Sequence, residues 1–265
     1  MRLQLYNIGA WTAISAAAVV LSLTAWAFSR SPQADADSLA PLPMVLLWAW
    51  ERPENFSFLK QDEAGVVVLA GTIVLRGDVV EVRPRMQPVV IPAGVAAFPV
   101  IRIETDRADR PRLSAEQRRE VVAALLAMVK GREIQVLQID FDAVVSERNF
   151  YRALLQGLRE SLPRGTGLSM TALASWCLGD PWVADLPVDE AVPMLFEMGV
   201  DEGEAVEVLS RRGDFTAEVC RHSVGVSAKE MPSWLPEGRR IYWFDYQPWS
   251  EESFGRAVEE ARKWR

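Results

Sequence analysis

The chain has one histidine, His222, and two cysteines, Cys177 and Cys220, among 265 residues. No C-x-x-C or H-x-x-x-H spacing occurs, so a zinc site of His and Cys ligands would need nearly all of them. Ser-His-Asp or Cys-His catalysis would have to run through His222 alone. There is no Lys/Arg cluster and the formal net charge is −7, which excludes a surface built to neutralise phosphates; no nucleic-acid partner is expected. The Gly-rich phosphate loop of an open dinucleotide-binding sheet is missing, and no internal repeat is visible. Neither cofactor nor metal is expected. Carboxylates are in supply, and carboxylate chemistry is what remains.

The composition, 49% hydrophobic and 25% charged, is that of a folded globular protein. From Ile8 to Phe28 the chain is an uncharged run rich in Ala, Val, Leu and Trp, long enough to cross a bilayer as a helix. Arg2 and the free amine precede it, so the positive-inside rule starts the chain in the cytoplasm and exports the rest. Ala25-Trp26-Ala27 fits a small-x-small cleavage site, but a signal h-region spans only about 7–15 residues. The length favours an uncleaved anchor: a single-pass inner-membrane protein with its domain in the periplasm or outside the cell, or secreted if the signal is cleaved. Residues 1–28 are thus the membrane or signal segment, 29–43 a Ser/Pro/Ala/Asp linker, and 44–265 the folded domain.

Eight strand-like runs follow: Met44–Trp50, Val66–Val74, Phe98–Glu104, Ile134–Asp142, Gly167–Leu173, Ala191–Met198, His222–Ser227 and Arg240–Tyr246. Helical patterns lie between them. One opens at Ser114, with Gln117 three residues on as in a capping box, and ends at Gly131. Another runs from about Ser146 to Leu162, and a last one from Glu251 to Trp264. Residues 75–95 read as a hairpin or irregular excursion, and the segments after the second and fifth strands are poor helices. Eight strands with interleaved helices predict an α/β fold, a degenerate (β/α)8 TIM-like barrel. An open doubly wound sheet is the alternative.

The most informative stretch is Ile134 to Ala143. Leu137, Ile139 and Phe141 alternate with Gln138, Asp140 and Asp142, so the polar three share one face, with neighbours roughly 6.5–7 Å apart. Two carboxylates facing inward are costly unless something uses or pairs them. Barrel site residues come from the C-terminal ends of strands. Those ends carry Trp48, Trp50, Glu51 and Arg52; Asp140 and Asp142; Thr171, Ser175 and Trp176; Glu197; and Trp243, Asp245, Tyr246, Gln247 and Trp249. Acids beside tryptophans suit a sugar cleft, where rings stack on aromatic faces and acids handle hydroxyls and the glycosidic oxygen.

Two segments resemble the chitinase-like glycoside hydrolases of family 18. The D-x-D-x-E of that family's fourth strand aligns with Gln138-Ile139-Asp140-Phe141-Asp142, which puts Asp142 at the general-acid position and Asp140 at its partner's. Its M-x-Y-D aligns with Met194-Leu195-Phe196-Glu197, and its subsite tryptophan with Trp243. The departures are Gln138 for the first aspartate, Asp142 for the glutamate, and Phe196 for a tyrosine that helps hold an N-acetyl group. From about residue 44 to 250 the chain also resembles an uncharacterised bacterial family, domain-of-unknown-function family 3142. The resemblance is carried by Leu47 to Glu54, Gln138 to Ala143, and Leu168 to Leu173 with Ser175-Trp176. It implies a sugar-hydrolase-like barrel without an assigned reaction.

The expected function is therefore an exported, glycoside-hydrolase-like protein that acts on or binds an envelope or exported polysaccharide. Asp142 is the candidate general acid, Asp140 its tuning partner, and Glu197 the candidate nucleophile, base or substrate orienter. Trp50, Gln138, Thr171, Trp176, Trp243, Asp245 and Tyr246 are candidate substrate contacts. A non-catalytic carbohydrate-binding barrel or an envelope scaffold is the alternative. So is a purely structural role in which Asp140 and Asp142 pair with an inward arginine such as Arg102. His222, at the start of its strand, is expected to be structural, and Arg76-Gly77-Asp78 a turn. Cys177 follows the fifth strand and Cys220 precedes the seventh; in a barrel these are opposite ends, so two free thiols are expected.

Overall fold

A computed structural model describes residues 39–198 and 202–264. The expected anchor or signal helix and most of the expected linker lie outside the described residues. Among the described residues no helix is long and apolar enough to cross a membrane.

The eight strand-like runs all form strands, and the sheet closes on itself. In chain order the strands are β1 (Val45–Ala49), β2 (Glu54–Asn55), β3 (Gly65–Arg76), β4 (Val79–Pro84), β5 (Val89–Val90), β6 (Ala97–Thr105), β7 (Val136–Asp140), β8 (Gly167–Leu173), β9 (Glu190–Met194), β10 (Ser223–Ser227) and β11 (Arg240–Phe244). Around the ring the order is β1, β3, β6, β7, β8, β9, β10, β11, every neighbour parallel; β1 pairs with both β3 and β11 and closes the barrel. Closure leaves no open edge in the ring. The open-sheet alternative is thereby excluded.

The 75–95 excursion is a hairpin. Gly77, with φ +46°, turns the chain so that β4 runs antiparallel to β3, while β2 and β5 make a small separate pair. Arg76-Gly77-Asp78 is that turn.

Helices cover the ring unevenly: α1 (Ala115–Val129), α2 (Arg148–Ser161), the five-residue α3 (Ala174–Leu178), α4 (Glu202–Arg212) and α5 (Glu251–Arg262). Ser114 caps α1 by accepting from the Gln117 N–H, while the Gln117 side chain accepts from the Leu113 N–H. In α2 the apolar stripe Phe150, Tyr151, Leu154, Leu155 and Leu158 is fully turned to the sheet.

Two apolar layers result. Outward-facing strand residues such as Leu47, Ile101, Leu137, Ile139 and Trp243 pack against the helices. Inside the ring lie Leu46, Trp48, Val67, Leu69, Val100, Val192 and Tyr242. The interior also holds a polar chain. The Trp48 indole donates to Gln138 Oε1 (2.9 Å), Gln138 Nε2 to Ser169 Oγ (3.0 Å), and Ser169 Oγ to Glu190 Oε2 (2.9 Å). Tyr242 donates to the same Glu190 oxygen (2.6 Å), and Arg240 pairs with the other (3.2 Å). Each polar group thereby has a partner, which is the condition for burying it.

The domain starts earlier than Met44. Leu39 and Leu42 are each 5% exposed and join the interior cluster at the N-terminal ends of the strands. Arg240, the first residue of β11, ties them down by donating to the carbonyls of Leu39 (2.8 Å) and Pro43 (3.2 Å). The last residues of the expected linker therefore plug the barrel's floor.

The two cysteines are bonded, contrary to the expected free thiols: Cys177 and Cys220 form a disulfide with Cα atoms 5.9 Å apart. Chain order assigns an end of the barrel to strand residues, but both cysteines sit in the outer layer. There the N–H groups of Thr216 and Ala217 donate to the Cys177 carbonyl and lay the 213–220 segment along α3. His222 is exposed just before β10.

Candidate functional site

At the C-terminal mouth of the ring lies an open cavity of about 390 Å³. Inward-facing strand ends line it: Asp140 and Asp142 after β7, Arg102 on β6, Thr171 on β8, Phe196 and Glu197 after β9, Phe244 on β11 and Trp50 after β1. These positions follow from the pleat. Residues two apart share a face, so Gln138, Asp140 and Asp142 climb one wall from interior to mouth.

Their environments differ sharply along that climb. Gln138 is fully buried beneath the cavity, and both ends of its amide are spent on Trp48 and Ser169. It supports the floor and does not line the cavity. Asp140 is 6% exposed and accepts a 2.7 Å hydrogen bond from Thr171 Oγ1 at one oxygen, Oδ1. Arg102 stands 3.7 Å from the other, Oδ2, and 3.1 Å from Glu104. The expected structural pairing with Arg102 thus exists, at ion-pair distance, while the carboxylate still faces an open cavity. Burial first, then repulsion by Asp142, pushes the Asp140 carboxyl up to about 6. Asp142 is exposed at the mouth. Its carboxyl is also raised, because the cavity walls remove part of its solvent; Arg102 opposes that shift and Glu197 adds to it.

Glu197 is exposed across the mouth with φ +53°, a left-handed backbone uncommon for a side-chain-bearing residue. Surrounding groups hold it there. Its N–H donates to Glu230 Oε2 (2.6 Å), and its carboxylate accepts from the Tyr246 hydroxyl (2.7 Å). Tyr246 lies behind Glu197 and outside the cavity lining, under the Lys229 ammonium at 4.5 Å. The phenol is raised by desolvation and by the Glu197 carboxylate it bonds.

The aromatic wall is Trp50, Phe244 and Phe196. Phe244 stacks on Phe196 at 5.4 Å and 7° between planes, and Trp50 meets Phe244 edge-on at 6.4 Å. Trp243 does not reach the cavity. Tyr242 and Phe244 take the inner face of β11, which turns Trp243 outward to the helix layer, 1% exposed. Trp176 is likewise in the outer layer, 4.9 Å from Trp182 and under the Arg148 guanidinium. Asp245 is buried outside the cavity, accepting from the Gln247 N–H (2.8 Å) and, through its carbonyl, from Arg52 (2.5 Å).

Of the candidate residues, then, Asp140, Asp142, Glu197, Trp50 and Thr171 meet in one cavity, and Tyr246 braces it. Gln138, Trp176, Trp243 and Asp245 do not line it. Phe244 and the methionines Met194 and Met198 do, and none of the three was among the candidates. The alternation that puts Tyr242 inside the ring puts Phe244 there too, but three consecutive aromatics hide which face is which. Among the described residues no group of His, Cys, Asp and Glu could hold a metal ion.

Fold and site together define a closed parallel eight-stranded α/β barrel with a carboxylate-lined cavity at its C-terminal mouth. No family model matches the chain, and no curated protein matches it. Among solved structures it is similar to the spore cortex-lytic enzyme SleL of Bacillus cereus, at 14% identity and TM-score 0.44, over 69% of this chain and 50% of that one. It is also similar to a chitinase, RmChi1, of Rhizomucor miehei, at 13% identity and TM-score 0.43, over 69% of this chain and 68% of that one. The chain spans half the length of the SleL structure.

Proposed function

We propose that this is an exported, membrane-tethered, glycoside-hydrolase-like protein that acts on or binds an envelope or exported polysaccharide. The observation that carries the reading is the gathering of Asp140, Asp142 and Glu197 around one open, aromatic-walled cavity. Carboxylates in unlike environments are what acid-assisted glycoside cleavage needs. In this reading Asp142 passes its proton to the glycosidic oxygen as the bond to the anomeric carbon breaks. Asp140 shares the proton load from below, oriented by Thr171. Glu197, on the far side, serves the anomeric carbon as nucleophile or as base for water. Trp50 and Phe244 supply the aromatic wall against which a pyranose ring would pack. The disulfide supports an oxidising compartment, in keeping with export. Membership of the uncharacterised bacterial family and tethering through residues 8–28 belong to the same proposal.

A second reading, a non-catalytic carbohydrate-binding barrel, is favoured by one observation. The candidate acid is an aspartate, a methylene shorter than glutamate, and proton delivery is sensitive to displacements of about 1 Å. The test is reducing-end release from a panel of envelope polysaccharides by the full chain. Catalysis is expected to vanish in Asp142→Asn while binding of the same glycan persists. A panel that is bound and never cleaved supports the second reading, and one that is neither bound nor cleaved overturns both.

A further inference from the structure

The charge inventory of the cavity goes further than a generic sugar site. Among the described residues three carboxylates, Asp140, Asp142 and Glu197, face it, against one guanidinium, Arg102. That guanidinium is shared: it lies closer to Glu104 (3.1 Å) than to Asp140 (3.7 Å). Lys229 lies over the Tyr246 ring behind Glu197, and neither it nor Arg85, which donates to the Trp50 carbonyl, lines the cavity. Asp140 is buried, and no described donor hydrogen-bonds its Oδ2. Each neighbour raises the next, Asp142 acting on Asp140 and Glu197 on Asp142, as expected where like charges are under-compensated. A neutral sugar covering this mouth would strip water from the carboxylates and return hydroxyl hydrogen bonds but no opposite charge. A ligand bearing ammonium groups would supply that charge, and the cavity is walled by the aromatics Trp50, Phe196 and Phe244, a ring type that attracts a cation.

Resting on the carbohydrate reading, we propose that the saccharide taken by this cavity carries free, protonated amines, as in a de-N-acetylated hexosamine oligomer, with Glu197 as the ammonium-binding carboxylate and Asp142 keeping its role as acid. The aromatic wall receives the ring faces while Glu197 takes an amino substituent.

The experiment is titration calorimetry on the full chain with three probes at about pH 6, where amines are charged. The probes are a fully de-N-acetylated glucosamine hexasaccharide, its N-acetylated counterpart and hexalysine. The amino oligomer is expected to bind about tenfold or more tighter than the N-acetylated one, and to weaken severalfold as ionic strength rises from roughly 0.05 to 0.5 M. Glu197→Gln preserves shape while removing one charge. It is expected to weaken the amino oligomer about fivefold or more and to leave any N-acetylated binding within about twofold, whereas Asp142→Asn, neutral like the acid it replaces, leaves the binding of both within about twofold. Equal or tighter binding of the N-acetylated oligomer overturns the amine inference while leaving the carbohydrate reading standing. Hexalysine binding as tightly as the amino oligomer overturns it in favour of a basic peptide, and binding of none of the three overturns it as well.

Discussion

Thr171 Oγ1 donates a 2.7 Å hydrogen bond to Asp140 Oδ1 at the base of the cavity. One hydrogen bond and a 3.7 Å ion pair do not offset the loss of water, so the carboxyl rises from 3.8 to about 6. A raised acid binds its proton more tightly in the folded state. Its stabilisation is complete below pH 3.8 and is lost as pH climbs through about 6. Asp140→Asn keeps the acceptor for Thr171 and removes the ionisation. Denaturant titrations should show the variant gaining on the parent by up to about 3 kcal/mol between pH 4 and 7. Parallel curves for the two proteins would show that Asp140 is better solvated than its burial implies.

Gly225 leaves room for the Trp48 ring. A Cβ placed there would stand 2.9 Å from Trp48 Cη2, on a ring whose indole N–H is already committed to Gln138. Gly225→Ala should therefore destabilise by about 1–3 kcal/mol and disturb the polar chain from Trp48 to Glu190. Unchanged unfolding midpoints would mean that the interior can repack.

The disulfide closes a segment that carries β9, Phe196, Glu197 and α4. Its sequence separation of 43 corresponds to about 4 kcal/mol of chain-entropy stabilisation. Cys177→Ser with Cys220→Ser should lower stability by about 2–4 kcal/mol. Thiol titration of the unreduced, denatured parent should find no free cysteine; two thiols would contradict the bond.

Removing residues up to Pro43 should destabilise far more than removing residues up to Asp37. The longer deletion exposes the barrel floor and leaves Arg240 without the Leu39 and Pro43 carbonyls. Burial of Leu39 and Leu42 accounts for about 1.5–3 kcal/mol each. Two truncated chains of equal stability would show the plug to be incidental.

How much of this was legible in the chain depends on the range of the interaction. The strands were, because their apolar alternation is local: all eight barrel strands fall on the runs read from sequence, and the Ser114 cap and the α2 stripe follow from spacings of three and four residues. The polar face of Gln138, Asp140 and Asp142 was legible for the same reason. Their depth was not: one residue of the three is sealed under the floor, one half-committed and one open, because depth depends on which strand neighbours each finds. On β11 the alternation failed, since Tyr242, Trp243 and Phe244 are all large and apolar enough for either face.

The sequence by itself determined the strand inventory, the pairing of acids on one face, and the scarcity of histidine and cysteine that leaves carboxylates as the available chemistry. Tertiary structure alone decided that β1 meets β3 to close the ring, that Phe244 and not Trp243 looks into the cavity, that Arg102 stands between Asp140 and Glu104, and that Cys177 reaches Cys220. Backbone periodicity repeats every two or about four residues and can be read locally. Those four relationships join residues brought together by the ring and its outer layer, and they exist only after the chain has folded.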